Sequence, residues 1–491
     1  MMQKGISFFI LLLTGFTALA QLKLPALVAD SMVLQRDQPV KIWGWSLSDK
    51  EVTILFKDKI YRANPDKDKK WVATLEATQA GGPYSIGIST AGQSIKIKEI
   101  LFGDVWVCSG QSNMSFAMSS LAEKEADDIA HATNTNIREF QVKRQYSFEP
   151  RENVIGKWKQ ANPENVLRFS AVAYYMAKNL YEKYKIPIGI IHSSWGGTPA
   201  EAWTAAEDLK AFPDYLEKYN FYRDTVNLQA ALNQENEIQS DQRNGQKKIR
   251  MHYQPATLFN AMIAPLIPYT IKGFAWYQGE ANTRKAEEYA KLLPALIEGW
   301  RSRWQQGDLP FLIVQLANYM APQKRPSEGG WAWIRESQLK VSQTVPNTAL
   351  AVAIDIGEAK DIHPLNKKEV GRRLALAAER IAYHDKNVVY SGPTYQSMKK
   401  EGNKIILSFT NIGSGLMADG GQLARFAIAG KDKKFVWASA KIEDDQVVVW
   451  SEDIKDPEAV RYAWGSNPEG YNLYNREGLP ASPFRTDSWE R

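Results

Sequence analysis

The sequence predicts an α/β protein: a parallel sheet with helices on both faces, flanked by an N-terminal and a C-terminal β-sandwich domain. Two changes in the period of the apolar pattern carry this expectation. Residues 21–98 give short alternating runs such as Val52-Thr53-Ile54-Leu55-Phe56 and Ile95-Lys96-Ile97-Lys98, interrupted by Gly81-Gly82-Pro83, the signature of a small antiparallel sandwich. Residues 99–387 alternate apolar strand runs, near 104–108, 188–192, 272–276, 310–315 and 349–354, with helical segments such as 164–184 and 286–304. That order predicts a parallel sheet with right-handed crossovers. Residues 205–250 break the alternation with a polar, charge-rich stretch that is read as a helical insertion, either a lid or a solvated cover. From 388 to 491 the two-residue period returns, in Lys404-Ile405-Ile406-Leu407-Ser408-Phe409, Lys434-Phe435-Val436-Trp437 and Gln446-Val447-Val448-Val449-Trp450.

The first twenty residues read as a secretory leader. Lys4 supplies a positive start, Ile6 to Leu13 an apolar core, and Ala18-Leu19-Ala20 a small-x-small cleavage site before Gln21. The segment is too short for a membrane span, and no cysteine follows the cleavage site to carry a lipid, so a periplasmic or secreted protein without a membrane anchor is expected. The chain has one cysteine, Cys108, which cannot form an internal disulfide; inside Val105-Trp106-Val107-Cys108 it reads as a small core residue rather than a nucleophile. With 491 residues, 44% of them hydrophobic, the chain can bury a large core divided among domains. Its 61 basic and 55 acidic residues nearly balance, and no basic tract is interleaved with stacking aromatics. There is also no phosphate-cradling glycine loop and no Cys/His cluster at metal spacing. Nucleic acid, nucleotide cofactor and catalytic metal are therefore not expected, and no cofactor is assigned.

Chemistry concentrates at the carboxyl ends of the predicted strands. Gly110-Gln111-Ser112-Asn113-Met114 directly follows the first of them and puts Ser112 on a tight strand-to-helix turn, where a hydroxyl is presented at the rim of a sheet. Met114 stands where the elbow of the α/β-hydrolases needs glycine, so a different serine-hydrolase framework is implied. A serine needs a neutral imidazole to take its proton, and the chain has five histidines. His363, in Asp361-Ile362-His363-Pro364 ahead of a helix marked by Val370, Leu374, Ala377, Ala378 and Ile381, is the best candidate. His192, ending Ile188-Gly189-Ile190-Ile191, is its rival, whereas His131, His252 and His384 lie away from strand ends. Acyl transfer also requires donors where the oxyanion forms, and the Ser112 N–H, a glycine N–H and an asparagine amide meet that need. In an open α/β sheet, ligands bind at the carboxyl edge of the strands, so these distant segments converge on one pocket.

Four segments in order, Gly110-Gln111-Ser112-Asn113-Met114, Ser193-Ser194-Trp195-Gly196-Gly197-Thr198, Trp276-Tyr277-Gln278-Gly279-Glu280-Ala281-Asn282 and Asp361-Ile362-His363-Pro364, resemble the sialate O-acetylesterase family of SGNH hydrolases. The likeness extends to the stretches 25–35 and 258–266. It implies an SGNH-type, flavodoxin-like sheet with Ser112 as nucleophile and His363 as base. It further implies an oxyanion hole from Ser112, Gly196 or Gly197, and Asn282, the last matching the family's Gly-x-x-Asn block with Gly279. Gln111, Asn113, Trp195 and Gln278, in the same segments, are expected to bind substrate. One departure is evident. The superfamily's acid three residues before the histidine is replaced here by Lys360, leaving Asp361 as the first choice, Glu280 as the substitute and Asp355 as a third. The resemblance implies release of acetate from O-acetylated glycans, sialic acids first; acetylated xylan or xyloglucan is the alternative substrate class, and a non-catalytic glycan-binding protein the alternative of another kind.

Overall fold

The structure, a computed structural model, describes residues 22–240 and 250–490. The expected leader and part of the 205–250 insertion lie outside the described residues.

One 18-residue strand, β1 (Gln93–Gly110), organises the molecule. Its first half alternates buried and exposed side chains and pairs antiparallel with Gly81–Thr90; its second half is buried on both faces and runs between two parallel neighbours. That is the burial difference between a one-sided antiparallel sheet and a covered parallel one. Residues 98–99, where the apolar pattern changes period, therefore lie inside a continuous strand. The parallel sheet continues with β2 (Ile137–Gln141), β3 (Ile188–Ser194), β4 (Gly273–Tyr277), β5 (Phe311–Val314) and β6 (Thr348–Ala351), in spatial order β2-β3-β1-β4-β5-β6. Leaving out β2, whose outer side pairs antiparallel with Trp158–Gln160, the order by appearance is 2-1-3-4-5, with the switch in direction between β1 and its two neighbours.

Helices cover both faces. Trp106, Cys108, Ile188 and Ile190 pack under α1 (Ala171–Tyr184) and α6 (Lys367–Ile381), while Val105, Val107, Ile191 and Phe274 pack under α4 (Ala286–Trp304) and α5 (Gly330–Thr344). The predicted helix over 164–184 is in fact two pieces. It breaks at Phe169 and restarts where the Ser170 side chain caps the Ala173 N–H, an N-cap signal that the continuous apolar pattern conceals. Likewise Gly81-Gly82-Pro83 is no break between strands: it lies within Gly81–Thr90, at a register shift. The insertion contains α2 (Pro213–Arg223) and α3 (Thr225–Ser240). Beyond α6, seven antiparallel strands and a two-stranded ribbon enclose a separate core that includes Ile405, Phe426, Val449 and Tyr462. Arg335 of α5, fully buried, donates to the carbonyls of Gly465 and Ser466 and fixes this region to the central sheet.

The sheet edge is closed where β1 ends. Gly110 has φ +135°, and a Cβ there would lie 2.2 Å from the Tyr277 carbonyl oxygen of β4. Gly110→Ala meets both a backbone conformation unsuited to L side chains and an immovable strand atom, so its expected cost is at least about 2 kcal/mol. A thermal melt should show the midpoint lowered by several degrees; an unchanged midpoint would contradict the strand-edge contact.

Candidate active site

The turn after β1 is built from internal hydrogen bonds. Gln111 donates its N–H to the Tyr277 carbonyl (3.0 Å), and its own carbonyl accepts from the N–H groups of Met114 and Ser115 (3.0 Å each). Its Oε1 accepts from the N–H groups of Gly279 (3.5 Å) and Ala281 (3.3 Å), tying the turn to the loop after β4. Ser112 is half-buried, and among the described residues neither its Oγ nor its N–H has a hydrogen-bond partner. Gly196, after β3, presses against it: a Cβ at Gly196 would stand 3.3 Å from Ser112 Cβ. The Gly196 N–H is likewise without an acceptor among the described residues. Two N–H groups without an acceptor among the described residues thus lie on the two segments that meet at the Ser112 side chain.

His363 lies in the loop between β6 and α6, its side chain 36% exposed. Burial, followed by the nearby Lys367 ammonium, holds its pKa below the usual histidine value, and Asp361 opposes them. The Asp361 carboxylate, 52% exposed, accepts the His363 backbone N–H at 2.8 Å and stands 3.6 Å from Nδ1. It is adjacent to the imidazole without bonding it. The His363 loop reaches the Ser112 turn through Asn113, whose Nδ2 donates to the Ile362 carbonyl (3.1 Å) and to Glu280 Oε1 (2.6 Å). Glu280 therefore bonds Asn113, not His363; burial raises its pKa, and its Oε2 is sealed from solvent without a partner. Asp355 is engaged elsewhere, gripping the Arg373 guanidinium at 2.6 Å with each oxygen.

The remaining histidines sort by environment. His192 is buried, with Nε2 2.6 Å from Ser194 Oγ and Nδ1 3.2 Å from Glu139. His131 contacts the Asp127 carbonyl on the surface, and His384 occupies a left-handed position after α6. His252 stacks on Trp195 at 4.3 Å between centroids, an arrangement that nothing in the local sequence announces. Burial pushes the Cys108 thiol pKa up, so it stays protonated in the core.

Asn282 is buried and fully engaged through its oxygen, which accepts from the Ala200 N–H (2.9 Å) and Gln278 Nε2 (2.7 Å). Its Nδ2 donates one hydrogen to Glu201 (2.9 Å). Gln278 also donates to the Thr198 carbonyl (3.2 Å), joining the loops after β3 and β4. Gln111, Asn113 and Gln278 are thus buried braces, and of the four residues expected to bind substrate only Trp195 keeps an open surface. Residues that the sequence reading missed are Lys367, His252, Tyr253 and Glu201. Tyr253 OH would lie 2.3 Å from a Cβ at Gly197, so that glycine, at φ +76°, is required by two constraints. Lys367 carried one legible signal: a cation at the first position of a helix, where the dipole disfavours it.

The chain is similar to known carbohydrate esterases. A family model described as carbohydrate esterase, sialic acid-specific acetylesterase, matches residues 242–380. The sialate O-acetylesterase of Rattus norvegicus is 30% identical, with 93% of each chain covered. That of Homo sapiens is 29% identical, covering 93% of this chain and 91% of its own. A solved carbohydrate acetylesterase from Xanthomonas citri is 39% identical, with a TM-score of 0.84 over 96% of this chain and all of that one (100%).

The Asp355–Arg373 pair is open to a direct test. Arg373 is buried and bonds two carboxylates, Asp355 and Glu369 (2.8 Å), so neutralising Asp355 weakens one of two buried charge pairs, at a cost of about 2 kcal/mol. Asp355→Asn should lower the melting temperature while leaving kcat per folded molecule near the parent value; a stable variant with a collapsed kcat would instead make Asp355 the acid behind His363.

Proposed function

We propose, from the premise that this chain belongs to the sialate O-acetylesterase family of carbohydrate esterases, that Ser112 is the nucleophile of an acetyl-ester hydrolase. His363 takes the Ser112 proton as the oxygen attacks the acetyl carbonyl. The N–H groups of Ser112 and Gly196 receive the oxyanion, with the second hydrogen of Asn282 Nδ2 as a third donor. His363 then protonates the departing sugar oxygen, leaving an acetyl-enzyme. In the second half His363 removes a proton from water, the resulting tetrahedral species collapses to acetate, and Ser112 recovers its proton. The observation that carries this reading is the half-buried Ser112, whose free Oγ stands beside two unbonded N–H groups.

Asp361 is the preferred orienting acid. It already holds the His363 backbone, and a modest side-chain rotation closes the 3.6 Å gap to Nδ1, while Glu280 is held by Asn113. The strand order and the antiparallel sheets at either end support an SGNH-type, flavodoxin-like domain (99–387) between β-sandwich domains (21–98 and 388–491). The Trp195–His252 stack supplies an aromatic wall for a sugar ring, and Met251 links it to the insertion by packing with Tyr219 and Ala231. That linkage favours a lid over a merely solvated cover for 205–250.

The substrate is an O-acetylated glycan, with O-acetylated sialic acids the first choice from the named relatives. Acetate release measured across acetylated sialic acids and acetylated xylans identifies the class; no release from any simple acetyl ester would leave only the glycan-binding alternative. No helix among the described residues is long and apolar enough to cross a membrane. Export rests on the composition of the first twenty residues, and the intact mass of exported protein should begin at Gln21.

Ser112→Ala should lose at least about a thousandfold in kcat with an unchanged melt; retained activity would refute the nucleophile. Since burial and Lys367 both lower the His363 pKa, the base stays neutral below the ordinary histidine value of about 6.5. The acid limb of the pH–rate profile should therefore have its midpoint under that value, and a limb above it would contradict this environment. Asp361→Asn should lower kcat by at least about tenfold, less than a sealed triad acid would because the carboxylate is half exposed. An unaltered kcat would mean a Ser112–His363 dyad.

A further inference from the structure

We propose that Lys367 is a positioning residue of this esterase: by fixing the carboxamide of Asn113, it locks the Ser112 turn, the Glu280 loop and the His363 loop into one rigid unit. The inference rests on the reading of Ser112 and His363 given above and adds a residue that touches neither.

Lys367 Nζ donates to Asn113 Oδ1 at 2.5 Å, and Asn113 Nδ2 donates to Glu280 Oε1 and the Ile362 carbonyl. The orientation of that carboxamide is forced by chemistry. An ammonium only donates, whereas a carboxylate and a carbonyl only accept, so exchanging the oxygen and nitrogen of Asn113 would break all three bonds at once. Without Lys367 the oxygen end has no partner to define it, and the two ties on the nitrogen end lose their anchor. Asn113 adjoins Ser112, and Ile362 adjoins His363, so slack in this amide is slack between nucleophile and base.

A purely structural role fits the lysine poorly. It is 0% exposed, opens α6 at the end where the helix dipole opposes a cation, and bonds no carboxylate directly. Its ammonium instead lies 4.9 Å from the centroid of Phe116 and 5.6 Å from that of Tyr277. The carboxylates facing it are Glu280, Asp361 and Glu358, and the titratable neighbour is His363. Burial lowers its pKa to about 7, so the charge is held at a cost that an apolar side chain would avoid. Positioning accounts for that cost.

The experiment is a kinetic double-mutant cycle in the full chain with a simple acetyl ester. Lys367→Met should melt within a few degrees of the parent yet lose about tenfold to a hundredfold in kcat with KM nearly unchanged, the penalty of a misplaced base. Its acid limb should move to higher pH, because the cation that depresses the His363 pKa is gone. Asn113→Ala should match it, and the double variant should be no slower than the slower single. An unchanged kcat in Lys367→Met, additive losses in the cycle, or an unmoved acid limb would each overturn the proposal. If Lys367→Met fails to fold, Asn113→Asp carries the test. It keeps the acceptor facing Lys367 and deletes both donors, so its kcat must fall comparably, and a parental kcat would overturn the proposal. Ser112→Ala measured alongside separates the two readings: its inactivity with an additive cycle rejects only the role of Lys367, while its retained activity rejects both.

Discussion

Three loops distant in the chain meet on a single side-chain amide. Asn113 is 167 residues from Glu280, 249 from Ile362 and 254 from Lys367, and every polar hydrogen it has, together with its oxygen, is used on those three. A parallel sheet brings strand ends to one edge but leaves the loops beyond them free to splay. A buried amide with complementary partners on both sides removes that freedom, because any displacement strands a donor or an acceptor away from water. The placing of the Ser112 turn relative to the His363 loop thus depends on the side chain of Asn113.

A second brace works on the opposite side of the serine. Gln278, Asn282 and Glu201 join the loop after β4 to the loop after β3, and this holds Gly196 against Ser112. Both braces are polar networks in a water-poor setting, where each member is costly unless satisfied. Their unsatisfied atoms are correspondingly informative. Glu280 Oε2 has no partner, and burial raises the pKa of that carboxyl. Burial acts against both charges, on Lys367 and on Glu280, and each favours the other across the Asn113 amide.

Strand positions in the central sheet were legible where doubly buried strands are near-continuous apolar runs, whereas β2, which carries Arg138 and Glu139, was not; α4 was legible from its helical period. The break at Phe169 was not, since a serine inside an apolar helix pattern caps only when the preceding residue leaves the helix. At the site, Ser112, Gly196 and His363 stand in motif segments that are legible in the sequence. The burial of Gln111, Asn113 and Gln278 is not legible there, because a polar residue beside a candidate catalytic one reads as a substrate contact until its surroundings are known. His252 depends on tertiary packing alone, and the one local sign of Lys367, a cation opening a helix, does not show what it bonds.

Hydrogen-bond length by itself would select a centre other than the proposed one. Ser194, His192 and Glu139 form the tighter serine–histidine–acid series, at 2.6 and 3.2 Å, against an open Ser112 and a 3.6 Å separation from Asp361 to His363. All three members of the tighter set are buried, and the second oxygen of Glu139 accepts the Ser170 N–H that begins α1. A set so enclosed fixes strand ends and a helix start, and it offers an ester no approach. Catalytic groups must leave a valence open for the substrate, so their bonds are incomplete before it arrives. Access and unmet hydrogen-bonding capacity distinguish Ser112, the proposed nucleophile, from the better-bonded Ser194.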